Sequence, residues 1–276
     1  MKELRGRVAV VTGAASGIGR SLAARFAAEG MKILLADVDE AALSKTAGEL
    51  AAAGAEVAAT RVDVTCAREV TALAERAMDI FGAAHVVCNN AGVDSGGAFT
   101  EIPAKVWEWV FAVNFWGVVH GCTAFLPLMR RQGEGHLVNV ASHAALTGHF
   151  PAGTPYVASK FAVLGLSENL FHELKAAAEP IGVSVLCPSF VRTNMPSSER
   201  NRPPDVPSMD ASPPWQAHLA VTRAGTAKGL DPAAVADRVV DAIRADRFYV
   251  LTHTERSTAA VLARQRWLTD GIPPEF

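Results

Sequence analysis

Cysteine is scarce and scattered in this chain of 276 residues. The four cysteines, Cys66, Cys88, Cys122 and Cys187, lie far apart and form no CxxC pair. This usage is typical of small buried side chains in a reducing compartment, so we expect a cytoplasmic protein that binds no metal. The opening residues, MKELRGRVAVVTG, contain no apolar stretch long enough for a signal peptide, in agreement with that expectation.

An excess of charge of one sign is also missing. The chain has 26 lysines and arginines against 28 aspartates and glutamates, and its basic residues form no runs. This balance argues against a nucleic-acid partner and against binding to an anionic membrane. Hydrophobic residues make up 50% of the chain and charged residues 20%, which is typical of a globular protein with a full core.

One long stretch, residues 110–129, carries no formal charge and approaches the ~20 residues of a membrane span. Asn114 and His120 lie within this stretch, and Pro127 lies near its end. A helix that is apolar on most sides can also be buried between a sheet and a partner subunit. We therefore expect a buried helix here and no membrane span.

Short apolar runs alternate with stretches of helical spacing up to about residue 193. The predicted strands cover residues 7–13, 32–37, 56–64, 85–92, 136–142, 183–189 and 248–252. Strands that are apolar almost throughout and alternate with helices predict a parallel sheet covered on both faces. No change of composition marks a second domain, so we expect an α/β protein in which residues 1–276 form a single domain.

The regular alternation stops after Thr193. Residues 194–230 hold six of the fifteen prolines, which predicts a long loop, either a lid over the substrate or a disordered segment. A helix is predicted to resume with Asp231 as its N-cap and Pro232 as its first residue. The tail, about residues 253–276, is compatible with a further helix.

A glycine-rich turn, TGAASGIG, follows the first predicted strand. Gly13, Gly17 and Gly19 would let the backbone turn sharply and approach a pyrophosphate at the N-terminus of the next helix. The spacing GxxxGxG also suits a tight connection without a ligand, so by itself it leaves both interpretations open.

Asp37 strengthens the nucleotide interpretation. It ends the second predicted strand 18 residues past Gly19, where a carboxylate can bind a ribose diol or, alternatively, cap a helix. The same carboxylate would repel a 2′-phosphate, and Ala14 and Ala15 in the turn supply no cation. The sequence therefore favours NAD over NADP.

The sequence TPYVASK brings a phenol and an ammonium to one face of a predicted helix. With Thr154 as the cap and Pro155 as the first residue, Tyr156 lies in the first turn and Lys160 one turn later. The ammonium and the helix dipole both stabilise a phenolate, so we expect the pKa of Tyr156 to move from ~10 towards neutrality. A YxxxK pair alone also occurs by chance on solvated helices.

Two further polar residues accompany this pair. Ser142 ends the fifth predicted strand, and ligands of open α/β sheets bind at the carboxyl ends of the strands. Its hydroxyl could hold a substrate carbonyl against the phenol, or simply belong to a turn. Asn114 lies in the apolar long helix, where a buried amide must find partners or hold a water for a proton relay.

Taken together, TGAASGIG, NNAG (89–92), Asn114, Ser142 and YVASK resemble the short-chain dehydrogenase/reductase family. The resemblance runs from about residue 5 to 193 and more loosely to 252. It implies a doubly wound, Rossmann-like fold with a seven-stranded parallel sheet flanked by helices, and an NAD or NADP cofactor.

The resemblance also implies the roles of the catalytic residues. Tyr156 would take the alcohol proton in oxidation, and Lys160 would bind the nicotinamide ribose and lower the pKa of the tyrosine. Ser142 would orient the substrate oxygen, and Asn114 would hold a water leading to Lys160. The residues placed around the cofactor are Gly13, Ser16, Gly17, Ile18, Gly19, Asp37, Asp63, Val64, Asn90, Ala91, Gly92, Tyr156, Lys160, Pro188, Val191 and Thr193.

In the family, helices that correspond to residues 104–130 and 155–175 commonly form a dimer interface, which implies a homotetramer or a homodimer. The chain departs from the family pattern at Ser189, where glycine is usual. Ser142 and Tyr156 are 14 residues apart, one more than the commonest spacing, and the usual glycine soon after the serine is missing. These departures concern loop geometry and substrate placement.

The function that we predict is hydride transfer between NAD(H) and a small-molecule secondary alcohol or ketone. The residues expected to line the substrate side are His143, His149, Phe150, Phe190, Met195 and Trp215, which suggests a mostly apolar substrate. The alternatives are an NADPH-dependent 3-oxoacyl thioester reductase, which Asp37 disfavours, and a catalytically silent nucleotide-binding regulator, which the intact Ser142, Tyr156 and Lys160 disfavour.

Overall fold

A computed structural model describes residues 1–274, so the last two residues of the predicted tail lie outside the described part. The strands are β1 (Val8–Thr12), β2 (Lys32–Asp37), β3 (Val57–Arg61), β4 (Val86–Asn89), β5 (Gly135–Val140), β6 (Ile181–Cys187) and β7 (Tyr249–Leu251). They form one sheet in the order β3-β2-β1-β4-β5-β6-β7, and every pair is parallel. The predicted seven-stranded parallel sheet in a single domain is confirmed.

The helices cover both faces of the sheet, as the apolar strands require. They are α1 (Gly17–Ala28), α2 (Glu40–Ala52), α3 (Ala67–Phe81), α4 (Ala104–Phe111), α5 (Gly117–Gln132), α6 (Ala144–Thr147), α7 (Thr154–Ala176), α8 (Pro213–Ala227), α9 (Pro232–Arg244) and α10 (Thr254–Asp270). One core joins the sheet to α1, α2 and α9, and the other joins it to α3, α5 and α7. Successive residues of β1 enter opposite cores, since strand side chains alternate: Val10 lies in one core and Val11 in the other.

The strand order reverses between β1 and β4. The connections that follow β1 and β4 leave the sheet towards opposite faces. This opens a crevice between them at the carboxyl ends of the strands. The turn after β1 and the residues after β4 and β5 therefore meet at one edge of the sheet.

The predicted long apolar helix extends from Ala104 to Gln132 but is not α-helical throughout. Residues Ala112–Trp116 form a π-helical segment between α4 and α5, and the Gly117 N–H donates to the carbonyl of Ala112. By length and composition this helix could cross a membrane, although its α5 part buries Phe125 and Met129 in the core.

The prediction of a loop over 194–230 is wrong. Residues Met195–Asn201 form a 3-10 helix and Pro213–Ala227 form α8. The tail contains α10, which packs against α6. We call residues 194–229 the cap segment. Its ends meet at a parallel bridge between Val191 and Leu230.

Two predicted helix ends are observed, and a third differs from its prediction by one residue. Gly30 follows the end of α1 with a φ of +78°, and Asp231 caps α9 by accepting a hydrogen bond from the Ala233 N–H. Thr154 is already helical and Gly153 precedes it, so the expected threonine cap of α7 does not form.

Candidate active site

The glycine turn after β1 packs directly against the residues that follow β4. The Asn90 side-chain amide donates to the carbonyls of Thr12 (2.8 Å) and Gly13 (3.2 Å), and the Thr12 hydroxyl accepts from the Asn90 N–H (3.0 Å). A Cβ added to Gly19 would lie 2.1 Å from the Gly13 oxygen and 2.5 Å from the Asn90 amide nitrogen. Glycine is therefore required at position 19, because any side chain would collide with the Gly13 carbonyl and the Asn90 amide, which hold the turn together.

The Asp37 carboxylate at the end of β2 supports the same turn. One oxygen accepts from the Ala15 N–H (2.9 Å) and the other from the Asp39 N–H (3.0 Å). Both bonds hold the carboxylate in the crevice, where it lines a cleft together with Gly13 and Gly17. Its charge is thus fixed beside the turn and not on a solvated loop.

This cleft runs from the glycine turn to α7. The predicted cofactor residues that line it are Gly13, Ser16, Gly17, Ile18, Asp37, Val64, Asn90, Ala91, Gly92, Tyr156, Lys160, Pro188 and Thr193. Three others lie outside it. Gly19 packs behind Gly13, Asp63 accepts the hydrogen bonds of Thr65 (2.9 and 2.8 Å), and Val191 pairs with Leu230.

Tyr156, Lys160 and Ser142 come together at the end of the cleft. Tyr156 and Lys160 are buried in the first two turns of α7, and Ser142 follows β5. The Ser142 hydroxyl is hydrogen-bonded to Tyr156, and the Lys160 ammonium donates to the carbonyl of Val140 (2.8 Å). The Lys160 Nζ lies 5.7 Å from the centre of the Tyr156 ring.

Burial governs the acidity of both α7 groups. It raises the pKa of Tyr156 above its ordinary value; the bond to Ser142 lowers that pKa and the charge of Asp94 raises it. Burial also lowers the pKa of Lys160 to about 8, against the raising effect of Cys187 and Asp94. This direction differs from the expected shift of the Tyr156 pKa towards neutrality, because loss of water around the phenol outweighs the hydrogen bond to Ser142.

Asn114 is buried in the π-helical segment with its side chain in use. Its Oδ1 accepts from the Val93 N–H (2.8 Å), while its Nδ2 donates to the Val93 carbonyl (2.9 Å) and to the Ser159 hydroxyl (3.0 Å). A Cβ placed on Gly92 would lie 3.4 Å from the Asn114 Oδ1 and 3.5 Å from the Lys160 Nζ. The structure thus brings Asn114 and Lys160 next to the same glycine.

A second cavity, of about 490 Å³, adjoins the cleft at Tyr156. Five of the six residues expected on the substrate side line it: His143, His149, Phe150, Phe190 and Met195. The exception is Trp215, which is buried and stacks on His218 with 4.7 Å between ring centres. Trp215 therefore supports the cap segment and does not face the cavity.

Asp94 is a buried residue of this cavity that the sequence did not single out. Its Oδ2 lies 3.0 Å from the Nε2 of His218, whose Nδ1 lies 2.7 Å from the Pro151 carbonyl oxygen. Its Oδ1 is buried without a hydrogen-bond partner in the described residues. The position directly after NNAGV, beside a predicted cofactor motif, is the one sequence feature that could have drawn attention to it.

Helix α10, near the end of the chain, forms one wall of the second cavity. The Ser257 hydroxyl lies 3.2 Å from the His143 Nδ1, and the Arg256 guanidinium donates to the Ser189 hydroxyl (3.4 Å). Burial, with a smaller effect of Arg256, lowers the pKa of His143 to about 4. His143 is therefore neutral at pH 7 and adds no charge next to Ser142.

The parallel sheet, the glycine turn at its switch point, the carboxylate after β2 and the buried tyrosine, lysine and serine define a Rossmann-type oxidoreductase. A family model described as short chain dehydrogenase matches residues 7–204. The chain belongs to this family. No group of three or more histidine, cysteine, aspartate or glutamate side chains in residues 1–274 is arranged to hold a metal ion.

Three similar proteins illustrate the relationship. A short chain dehydrogenase/reductase from Burkholderia phymatum, crystallised in complex with NAD, superposes with a TM-score of 0.96 at 42% identity, covering 100% of this chain and 99% of that one. The 1-deoxy-11-beta-hydroxypentalenate dehydrogenase of Streptomyces exfoliatus is 39% identical over 98% of this chain and 92% of its own. The CLA biosynthesis dehydrogenase/reductase of Lactiplantibacillus plantarum is 35% identical over 99% and 97%.

Proposed function

We propose that the protein transfers a hydride between NAD(H) and a secondary alcohol or ketone, with Tyr156 as the acid–base residue. The observation that carries this proposal is the position of Tyr156, which lines both the cleft and the second cavity. A cofactor in the first and a substrate in the second would meet at the phenol. The glycine turn fits a dinucleotide, since Gly13 and Gly17 line the cleft and leave the backbone of the turn open to a phosphate.

Each of the three buried residues has a defined part in this reaction. NAD, when bound, supplies the ring that accepts the hydride. Ser142, hydrogen-bonded to Tyr156, would hold the substrate oxygen beside the phenol. Tyr156 would receive the hydroxyl proton, and the positive charge of Lys160 would favour the phenolate in that step. Burial of all three groups excludes water and strengthens these interactions.

The preference for NAD over NADP rests on the Asp37 carboxylate, which would repel a 2′-phosphate. The Burkholderia neighbour, crystallised with NAD, supports this preference. One observation favours the NADP alternative: an adjoining groove lined by Asp37 also contains Arg20 and Lys45. Arg20 is paired with Glu49 at 2.5 Å, which offsets its charge, and the fixed Asp37 carboxylate supports NAD.

We expect Asp37→Ala and Asp37→Asn to reduce the preference for NADH over NADPH by roughly 10–100-fold, because each removes a charged hydrogen-bond acceptor. Fluorescence or calorimetric titration of each variant with both cofactors measures this change. Asp37→Asn retains an oxygen for the Ala15 N–H and so separates the charge from the support of the turn. Asp79→Asn on α3, outside both the cleft and the adjoining groove, is the matched control and should leave the preference unchanged.

The titration also decides between the functions. A wild-type preference for NADPH would contradict our cofactor assignment and favour the 3-oxoacyl thioester reductase. Binding of neither cofactor would favour the silent nucleotide-binding regulator. Tight NADH binding justifies a screen of secondary alcohols.

A mostly apolar alcohol or ketone is the substrate that we propose. Phe150, Phe190 and Met195 contribute apolar surface to the second cavity, whose volume suits a small molecule. The names of two relatives, a dehydrogenase of a hydroxylated compound and a dehydrogenase/reductase, support a CH–OH substrate. The cap segment would close over the substrate as a lid, since Met195 lines both the cleft and the cavity.

We also propose that the protein is a cytoplasmic homo-oligomer, a tetramer or dimer, assembled through residues 104–130 and 155–175. The cysteines of the described chain are free thiols, in keeping with a reducing compartment. Trp116 is 50% exposed and packs edge-on to Phe115, while α5 and α7 share an open groove lined by Leu126, Leu166 and Leu170. A second copy would cover these apolar surfaces.

We expect Trp116→Glu to shift the protein towards the monomer, because a charge would be buried in the interface. Light scattering after size-exclusion chromatography measures the mass. Val221→Glu on α8, where the side chain is 62% exposed, is the control and should keep the wild-type mass. A monomeric wild type would contradict the proposed assembly.

A further inference from the structure

The wall that α10 gives to the second cavity is basic. Arg256 and Arg266 both line the cavity, and neither forms an ion pair with any carboxylate in residues 1–274. The third arginine of this helix, Arg264, differs: it does not line the cavity, and its guanidinium lies 4.8 Å from the centre of the Phe161 ring. Within residues 1–274, two cations without a carboxylate partner thus line the cavity where the substrate is expected.

Two contacts hold Arg256 at the cavity wall. Its guanidinium donates to the Ser189 hydroxyl at 3.4 Å and lies 6.0 Å from the centre of the Phe190 ring. The adjacent Ser257 contacts the ring of His143, the residue next to Ser142. Ser189, where the family usually has glycine, therefore provides the hydroxyl that fixes this arginine at the cavity.

The cavity also has a carboxylate in its lining, and this carboxylate is paired with His218. Asp94 is the carboxylate among the lining residues, it is 3% exposed, and it lies near Tyr156, whose acidity it affects. An anionic group on a substrate would be attracted to the α10 wall, where Arg256 and Arg266 have no carboxylate partner in residues 1–274. These two arginines thus favour one orientation of an elongated anionic substrate.

We propose that the substrate is an apolar hydroxy acid, or the corresponding oxo acid, whose carboxylate binds Arg256, with Arg266 as a second cation at the same wall. This inference rests on the proposed function and names its substrate class. In the oxidation, the C–H hydride passes to NAD⁺ and the O–H proton passes to Tyr156, which gives the oxo acid, NADH and a released proton. The carbon chain would lie along Phe150 and Phe190, with the hydroxyl between Ser142 and Tyr156.

The test compares acids with their neutral esters. The probes are straight-chain acids of roughly six to twelve carbons with a secondary hydroxyl beside the terminal methyl, a size that suits the cavity, together with their methyl esters. Wild-type enzyme with NAD⁺ should oxidise an acid with a kcat/KM at least roughly 10-fold above its ester. Arg256→Gln should lower kcat/KM for the acid roughly 10–100-fold, mainly through KM, and leave the ester nearly unchanged.

Arg264→Gln is the matched control, since it removes a guanidinium from the same helix away from the cavity. It should leave the acid-to-ester ratio at the wild-type value, whereas Arg266→Gln should lower it. Equal rates for acid and ester in the wild type, or an equal loss for both in Arg256→Gln, would overturn the proposal. A preference for the coenzyme A thioester of the same acid over the free acid would overturn it as well.

A binding measurement separates this inference from the proposed function. Calorimetric titration with decanoate and with methyl decanoate, neither of which can be oxidised at a hydroxyl, reports the carboxylate site without turnover. Decanoate binding that weakens in Arg256→Gln supports the site even where no alcohol is oxidised, in which case the proposed oxidoreductase function alone fails. Oxidation of neutral alcohols without any binding of decanoate would overturn the carboxylate site alone.

Discussion

Tyr156→Phe is expected to lower kcat/KM for alcohol oxidation by roughly 10²–10⁴-fold, the usual contribution of a positioned acid–base group. The substitution removes one oxygen and keeps the ring, so the packing against Phe150, with 6.1 Å between ring centres, is retained. NADH affinity should therefore remain within a few-fold of the wild type. Steady-state kinetics and a fluorescence titration on the same preparation measure the two quantities.

The chain offers its own control, because it has two tyrosines. The hydroxyl of Tyr249 bonds to Glu168 at the surface, far from the cleft, so Tyr249→Phe should retain wild-type kinetics. The pH profile gives a second check. Oxidation needs the phenolate, and burial raises the pKa of Tyr156, so the wild-type rate should increase with pH above neutrality. Tyr156→Phe should lose this increase; a variant with more than a tenth of wild-type activity would refute the assigned role.

Gly19→Ala is expected to abolish NADH binding and to destabilise the fold by about 1–3 kcal/mol, as overpacked side chains do. The added methyl would lie 2.1 Å from the Gly13 oxygen, which is backbone and cannot move aside without opening the turn. The Asn90 amide, 2.5 Å away, would also lose its place against the Thr12 and Gly13 carbonyls. Cofactor titration and thermal unfolding report the two effects separately.

Gly48→Ala is the matched control for this substitution. Gly48 lies inside α2 with no heavy atom within 4 Å of the added methyl, so alanine should stabilise the protein by about 0.5–1 kcal/mol and leave NADH binding unchanged. If Gly19→Ala does not fold, Gly17→Ala tests the same turn, since its methyl meets the Thr193 side chain at 3.0 Å. Wild-type NADH affinity in a folded Gly19→Ala would show that the turn does not hold the cofactor.

The sheet could be predicted because its cause is local. Each strand is a short apolar run, and the predicted and observed bounds differ by a few residues at most. The cap segment could not be predicted equally well, because a proline-rich stretch by itself favours a loop. Pro213 and Pro214 instead occupy the first turn of α8, where the missing N–H is tolerated. The π-helical segment at Ala112–Trp116 also leaves no trace in the apolar pattern, since it concerns hydrogen-bond spacing alone.

The site was predictable by residue type and not by environment. Ser142, Tyr156 and Lys160 are adjacent in space, as the motif order implied, whereas the direction of the Tyr156 pKa shift depends on burial that no local pattern reveals. Asp94 and Arg256 are 162 positions apart in the chain, and only the folded structure shows that both line one cavity. Pairings of this kind are decided by tertiary packing.

The bridge between Val191 and Leu230 has a consequence for how such a chain can diversify. The Arg192 N–H donates to the Leu230 carbonyl at 2.9 Å, so the cap segment begins and ends at neighbouring points of the fold. A segment whose two ends lie side by side can be lengthened, shortened or replaced without moving the elements on either side. The family match ends at residue 204, within the cap segment. Exchange of the cap segment can therefore change the lining of the second cavity while the sheet and the glycine turn stay the same.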